Sequence, residues 1–399
     1  MKQIIKTLDS IRKKNLYPKI HTLSNAVDPE VVIGDKPMLL FCSNDYLGLA
    51  NNTAIKERAK EAIDKYGVST CASRLIAGNT ELHNELEKLI AIFMHREDAI
   101  AFSTGYMTNI GVIPALIKGI NVLNVITQKT LIISEELNHA SIIDGCKLSQ
   151  AKIIVYPHKN IRMLEKILRR HRRIRKLIIT DAVFSMDGDI APIPDIVELA
   201  RKYGAMLMVD EAHSIGVLGK TGRGVLEHFN LPFDSVDILM GTLSKAVGSI
   251  GGYIAGSKDL IDFLRVTARS YIFTASPLPP PSTVAAIAAL EYIMNNPSLV
   301  ESSRRNAEYL RCKFKENNFD TLETQTPIIP IMLYDEQKAI RFSEILFERG
   351  ILAPCVRWPA VPWGKARIRC VVMANHTPSQ LDKLVETCII ARDILNARS

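Results

Sequence analysis

Short apolar runs alternate with amphipathic stretches between about residue 81 and residue 256. In the intervening stretches, such as Pro194–Tyr203, apolar residues recur at helical spacing with polar residues opposite. Runs of four or five mostly apolar residues are typical of strands covered by helices on both faces. The runs are Ala99–Phe102, Thr130–Ile133, Lys152–Tyr156, Leu177–Thr180, Met206–Val209 and Asp237–Met240. The alternation predicts a large, mainly parallel α/β sheet.

After residue 256 the pattern changes to long helices, interrupted by the proline-rich segment 277–281. A smaller unit follows, with strands expected near Ile328–Leu333 and Ala366–Val372 and a helix near Gln337–Arg349. The segment Thr377–Gln380 has the form of a capping box with proline at the first helical position, so it predicts a last helix. We therefore expect an N-terminal segment (1–50), a large α/β domain (51–285) and a small α+β domain (286–399).

Composition narrows the classes of protein that fit this pattern. The 399 residues are 47% hydrophobic and 23% charged, which excludes a disordered chain, and no apolar stretch approaches the roughly 20 residues that span a bilayer. Residues 1–14 lack the uninterrupted apolar core of a signal peptide, so we expect a cytoplasmic location. Seven scattered cysteines without a CxxC pair argue against a disulfide framework and a zinc site. The net charge of +8 lies largely in 169–176, a run without interleaved aromatic residues, so it predicts a solvated helix end rather than a nucleic-acid surface.

Two strand ends carry the candidate chemistry. Asp210 follows Met206–Val209 and precedes His213 by three residues, and Lys245 lies in a Thr-Leu-Ser-Lys loop after Asp237–Met240. Taken singly, Asp210 could be a helix cap and Lys245 part of an exposed loop. Together they supply an amine for an aldehyde and an anion for a ring nitrogen, the two groups that pyridoxal 5'-phosphate (PLP) needs. Because ligands bind at the carboxyl ends of strands, the pair predicts a PLP site.

With these motifs the chain resembles the α-oxoamine synthases, PLP enzymes of fold type I that join an amino acid to an acyl-CoA with loss of CO2. The resemblance runs from Phe41–Leu49 to Ala366–Arg369, with the motifs in the family's order. It implies a seven-stranded, mainly parallel sheet domain and a smaller α+β C-terminal domain. It also implies a homodimer with shared active sites.

The resemblance assigns roles to individual residues. Lys245 would bind PLP covalently and later remove the α-proton of the amino acid, Asp210 would pair with the pyridine nitrogen, and His213 would bind the phenolic oxygen. The remaining cofactor contacts would come from the ring-stacking His139, from Ser185 at the phenolic oxygen, and from the phosphate-binding residues Gly105, Tyr106, Thr242, Ser244 and, across the subunit interface, Thr274.

Substrate contacts are implied for four further residues. Arg369 matches the arginine that holds the amino-acid carboxylate, and Arg357 matches a second arginine of some branches, notably serine palmitoyltransferase. Asn44 and Tyr46 resemble residues that cross the subunit interface. The chain departs from the family at Glu135, where Asp is usual, at Asp181-Ala182, and at Trp363.

Four activities share these motifs: 8-amino-7-oxononanoate synthase, serine palmitoyltransferase, glycine C-acetyltransferase and 5-aminolevulinate synthase. Stretches such as 102–107 and 271–276 favour a serine palmitoyltransferase-like enzyme that takes serine, whereas 73–79 resembles the oxononanoate synthases. A PLP aminotransferase is an alternative from another class. An inactive dimer partner is a further alternative, against which Lys245 argues directly.

Overall fold

The N-terminal segment forms a hairpin that leads into the site. The computed structural model describes residues 1–13, 16–17, 19–118 and 129–397. Helix α1 (Lys2–Lys13) buries no residue, whereas β1 (Glu30–Ile33) and β2 (Lys36–Leu40) pair in antiparallel fashion. Beyond β2, the Phe41 carbonyl accepts a hydrogen bond of 2.8 Å from the Val371 N–H. The segment that follows β2 is thereby fixed to the C-terminal part of the chain.

The centre of the molecule is the predicted seven-stranded sheet. Its strands are β3 (Asp98–Phe102), β4 (Thr130–Glu135), β5 (Lys152–Tyr156), β6 (Arg175–Asp181), β7 (Met206–Asp210), β8 (Ile238–Thr242) and β9 (Gly252–Gly256). They lie in the order β3-β9-β8-β7-β6-β4-β5. Only β9 runs antiparallel to its neighbours, which confirms the mainly parallel architecture. The sequence pattern did not identify β9, a five-residue strand with glycine at both ends.

Both faces of this sheet are covered, as the apolar runs predict. Along β4, Leu131 and Ile133 pack into one hydrophobic cluster and Ile132 into another on the opposite face. The covering helices are α2 (Thr53–Tyr66), α3 (Glu81–Phe93), α4 (Gly105–Lys118), α5 (Ala140–Ser149), α6 (Ile161–Arg170), α7 (Ile193–Tyr203), α8 (Val225–His228), α9 (Lys258–Thr267), α10 (Arg269–Ile272) and α11 (Pro280–Asn295). The domain boundary expected between residues 285 and 286 falls inside α11. This helix packs on α2 and α3.

A second, smaller core follows α11. Its elements are α12 (Ser298–Glu316), β10 (Ile328–Tyr334), α13 (Glu336–Glu348), β11 (Ile351–Leu352), β12 (Cys355–Val356), β13 (Ala366–Val371) and α14 (Pro378–Asn396). Strands β10, β13 and β12 form an antiparallel sheet, and β11 pairs in parallel with β2. The predicted capping box is present, because Thr377 and Gln380 exchange hydrogen bonds of 2.9 and 3.3 Å.

The basic run 169–176 spans a boundary between elements. Its first two residues end α6, and its last two begin β6. Lys176 is buried, and its ammonium donates to the carbonyls of Arg172 and Ile174. The predicted solvated helix end therefore does not extend over the whole run. Among the described residues, no helix combines the length and apolar character needed to cross a membrane.

Candidate active site

The carboxyl ends of β6, β7 and β8 surround a cavity of about 230 Å³. Asp210 is the last residue of β7, and Lys245 lies three residues beyond the end of β8. Because neighbouring parallel strands end at the same edge, the two predicted groups meet in one cavity. The lining residues are Thr104, Gly105, Tyr106, Asn109, His139, Ser141, Asp181, Ser185, Asp210, Ala212, His213, Met240, Thr242, Ser244 and Lys245.

The Asp210 carboxylate is held in one orientation. Its Oδ1 accepts from the Ala212 N–H at 2.9 Å, and its Oδ2 accepts from Asn109 Nδ2 at 2.9 Å. The same Nδ2 also donates to Ser141 Oγ, whereas the buried Asn109 Oδ1 has no protein partner. Sequence reasoning missed Asn109. Its signal was a polar residue in an apolar helix, four positions after Gly105 and so on the same helix face.

The ammonium group of Lys245 is unusually acidic. Burial lowers the pKa of Lys245 to about 8, an effect partly opposed by Asp210 and Asp181 and reinforced by Arg369. The loop before it is braced: Thr242 Oγ1 donates to the Gly251 carbonyl at 2.8 Å, and Ser244 Oγ accepts from the Gly251 N–H at 3.1 Å. The amine is therefore presented to the cavity by a fixed backbone, and roughly a quarter of it is neutral at pH 7.5.

His139 lies directly before α5, and its ring contacts Ser141. Its Nδ1 lies 2.7 Å from Ser141 Oγ and accepts from the Ser141 N–H, so the histidine does cap the helix. Its own N–H donates to Asp181 Oδ2 at 2.8 Å. Burial lowers the pKa of His139, with Asp210 opposing, and burial together with the Asp210 charge raises the pKa of Asp181. The ring is thus neutral and fixed beside the cavity.

A chain of hydrogen bonds connects His213 with Arg369. Tyr46 Oη lies 2.6 Å from His213 Nδ1 and 3.3 Å from Asn44 Oδ1. Both terminal nitrogens of Arg369 donate to the same Asn44 oxygen at 3.2 Å. Burial lowers the pKa of His213 well below its usual value, so this imidazole is neutral. Asn44 and Tyr46 therefore contact Arg369 and His213 of their own chain.

The start of α4 forms the end of the cavity suited to an anion. The first N–H groups of a helix have no partners within it, and here they belong to Gly105 and Tyr106. A Cβ added at Gly105 would come within 3.2 Å of Met240 Cε and of Thr242 Oγ1. Glycine therefore lets the backbone of this turn approach the loop that carries Thr242 and Ser244.

The other predicted residues divide between the cavity and its surroundings. Ser185 lines the cavity, and its carbonyl accepts from Arg369 Nε at 2.5 Å. Thr274 lies outside this cavity, in a separate apolar groove. Arg357 follows β12 and is not among the lining residues, and Trp363 is 70% exposed. Within the described residues, no three His, Cys, Asp or Glu side chains are arranged to hold a metal ion.

Comparison with known proteins supplies independent information. The family model for class I and II aminotransferases matches residues 36–387. An 8-amino-7-oxononanoate synthase from Thermosipho melanesiensis is 48% identical over 382 residues, which are 96% of this chain and 95% of that protein. One from Geobacter sulfurreducens is 42% identical, with 95% of each chain covered.

Solved structures show the same architecture. A serine palmitoyltransferase from S. paucimobilis with a bound PLP–myriocin aldimine superposes with a TM-score of 0.91 at 32% identity, covering 99% of this chain and 98% of that one. An 8-amino-7-oxononanoate synthase from Francisella tularensis superposes with a TM-score of 0.76 at 29% identity, covering 91% and 99%. The similarity in both comparisons extends over nearly the whole chain.

Proposed function

The chain belongs to the α-oxoamine synthases, PLP-dependent acyltransferases of fold type I, and from that premise we propose that it is an 8-amino-7-oxononanoate synthase. It would condense L-alanine with a pimeloyl thioester, releasing CO2 and the free thiol, in the biotin pathway. The observation that carries the proposal is the 42–48% identity to synthases of that name over nearly the full length. We also propose a cytosolic setting, which the seven free cysteines support.

This proposal replaces the sequence-based preference for serine and a long acyl chain. That preference depended on short stretches and on Arg357, which does not line the cavity. Overall similarity to serine palmitoyltransferases is high at TM-score 0.91, but the sequence identity is only 32%. Similarity of backbone reports the shared fold, whereas the acyl pocket depends on side chains. Serine palmitoyltransferase activity remains the second candidate.

The residues in the cavity fit PLP. The amine of Lys245, the oriented carboxylate of Asp210 and the anion-binding turn at Gly105 are the three anchors that the cofactor requires. The unpartnered Oδ1 of the buried Asn109 offers one further acceptor at the cavity wall. When bound, PLP supplies an electron sink for the negative charge that develops at the amino-acid α-carbon.

The protein's own groups then act on protons. Lys245, whose pKa burial lowers to about 8, would supply the amine that holds the cofactor and the base that takes the α-proton of alanine. Asp210, which accepts from Asn109 and Ala212, would keep a proton on the pyridine nitrogen through a charge-assisted hydrogen bond. His139 and His213, whose pKa values burial lowers, would contact the ring without adding a positive charge.

Arg369 would orient the amino acid. Its planar guanidinium can hold a carboxylate with two parallel hydrogen bonds. In this structure both terminal nitrogens bind the single oxygen Asn44 Oδ1, and Nε binds the Ser185 carbonyl. A substrate carboxylate would compete with Asn44 for the terminal nitrogens while Nε stays on Ser185. Alanine binding would thereby be coupled to the loop that carries Ser185.

We further propose that the working form is a homodimer. The apolar groove that contains Thr274 has a volume of about 970 Å³ and includes Phe273, which is 69% exposed. An exposed apolar surface of this kind is typical of an interaction site and supports the proposal. A second copy would cover it and would bring Thr274 toward the neighbouring phosphate site. Light scattering after gel filtration should give a dimer mass for the wild type and a monomer for Phe273→Glu.

The test of function is a thiol-release screen. L-alanine, L-serine and glycine are each combined with acetyl-, succinyl-, pimeloyl- and palmitoyl-CoA, and with pimeloyl acyl carrier protein. We expect alanine with a pimeloyl thioester to react fastest. Serine with palmitoyl-CoA as the best pair would instead establish the second candidate, and amino-group transfer without thiol release would indicate an aminotransferase.

A further inference from the structure

His158, two residues beyond the end of β5, lies between two carboxylates. Its Nδ1 is 2.7 Å from Glu135 Oε1, and its Nε2 is 3.0 Å from Asp189 Oδ2. The ring packs edge-on against Phe184, with centroids 4.5 Å apart. Glu135 and Asp189 are buried, whereas the imidazole is about a quarter exposed. The histidine therefore bridges two acids, Glu135 at the end of β4, where one loop starts, and Asp189 in another loop.

The first of these loops carries His139. Glu135 ends β4, and its second carboxylate oxygen accepts from the Leu137 N–H at 2.5 Å. The next residue, Asn138, donates to Ser134 Oγ and to the Ile179 carbonyl. A short segment with several hydrogen bonds thus connects the Glu135 carboxylate to His139, the residue that caps α5.

The second loop carries Ser185. The Phe184 N–H donates to the Asp189 carbonyl at 3.0 Å, and the Gly188 N–H donates to the Phe184 carbonyl at 2.8 Å. These bonds close 184–189 into one rigid turn. Asp189 Oδ2 also accepts from Lys159 Nζ at 3.0 Å, and the buried Asp189 Oδ1 has no protein partner. A shift of Asp189 would therefore move the whole turn, including Ser185.

The contacts determine the charge of the ring. Each ring nitrogen faces a carboxylate oxygen, which accepts and cannot donate when ionised, so both nitrogens must carry protons. Burial opposes that charge, but the hydrogen bonds to Asp189 and Glu135 outweigh it and raise the pKa of His158 to about 9. The other charged groups nearby are Lys159, on Asp189, and Glu136, which accepts from the His158 N–H.

We propose that His158 is a positioning residue, which bridges Glu135 and Asp189 and so sets the distance between His139 and Ser185 at the cofactor. The proposal rests on the PLP-dependent function proposed above. It also gives a reason for the departure at residue 135: the side chain of Glu is one methylene longer than that of Asp and reaches the imidazole. Lys159 shares Asp189 with His158, but its ammonium does not bridge the two acids.

That difference provides a matched pair of variants. His158→Gln removes the charged bridge, and Lys159→Met removes a cation from the same carboxylate while the bridge remains. In the holoenzyme we expect His158→Gln to shift the visible absorbance of bound PLP and to lower kcat by about tenfold or more, since small misplacements of catalytic groups are costly. The KM for the amino acid should change far less. Lys159→Met should leave spectrum and kcat within about twofold of wild type, as for a partly exposed ion pair.

A second readout does not depend on turnover. In the apoprotein, nitrogen NMR of the labelled imidazole should show both nitrogens of His158 protonated at pH 7.5, and Asp189→Asn should lower its pKa. A wild-type spectrum and kcat in folded His158→Gln would overturn the proposal, and so would an equal loss in Lys159→Met. Failure of the alanine and pimeloyl assay alone would instead count against the proposed substrates, because the NMR and absorbance results do not involve them.

Discussion

The acidity of Lys245 can be tested through the pH dependence of cofactor capture. Its pKa of about 8, against 10.5 for an ordinary lysine, means that the site disfavours the ammonium by about 3 kcal/mol at 1.36 kcal/mol per pKa unit. At pH 7.5, half a unit below the pKa, roughly a quarter of the amine is neutral, against about one in a thousand for a solvated lysine. The rate of covalent PLP capture by the apoprotein should therefore rise through pH 8 and level off above it.

Two variants should move this midpoint in opposite directions. The negative charge of Asp210 raises the pKa of Lys245, so Asp210→Asn should lower the midpoint. The positive charge of Arg369 lowers that pKa, so Arg369→Gln should raise it. Stopped-flow absorbance between pH 6.5 and 10 measures the rate, and Nα-acetyl-lysine under the same conditions corrects for the ionisations of PLP itself.

The result that would refute this reasoning is specific. A wild-type midpoint near pH 10 would mean that Lys245 is solvated and that burial does not control it. Shifts of the same sign in Asp210→Asn and Arg369→Gln would mean that their charges do not act on the amine. Borohydride reduction followed by peptide mass spectrometry identifies the lysine that reacted, and an adduct on any lysine other than Lys245 would exclude the assignment.

Three further perturbations test other parts of the structure. Arg369→Ala should raise the KM for the amino acid and lower the rate, because a lost charge-assisted contact is worth roughly 1.5–3 kcal/mol, measured by steady-state kinetics. Gly188→Ala should lower the melting temperature more than Gly204→Ala, since both glycines have positive φ but only the Cβ at 188 would lie 2.2 Å from a backbone atom, the Ile328 carbonyl oxygen. Glu87→Gln should lower the free energy of unfolding, measured by urea denaturation, by about 3–5 kcal/mol, because it leaves the buried Arg74 without its ion-pair partner. The control is Glu57→Gln in the exposed pair with Lys60, which should lower it by less than about 1 kcal/mol.

The sheet and the strand-end groups could be predicted because they follow from local pattern. Apolar runs identified six strands of the large sheet, and the strand ends then brought Asp210 and Lys245 together by topology alone. Strand β9 was not predicted because its terminal glycines, Gly252 and Gly256, weaken the apolar pattern. Asn109 was missed for another reason. Its partners Asp210 and Ser141 lie 101 and 32 residues away along the sequence, and a local sequence pattern cannot indicate such contacts.

Substrate choice could not be derived from the motifs for a physical reason. In the proposed mechanism Lys245, Asp210 and His139 would act on PLP and on the α-carbon. Every activity of the family handles these in the same way, so these residues would carry no information about the acyl chain. The discriminating contacts must involve side chains away from the reacting atoms, and their differences are spread along the sequence. A sequence identity of 42–48% over nearly the whole chain includes the side chains at those positions. A backbone superposition does not compare side chains. For that reason we base the proposed substrate on the sequence similarity to the oxononanoate synthases rather than on the structural similarity to the serine palmitoyltransferases.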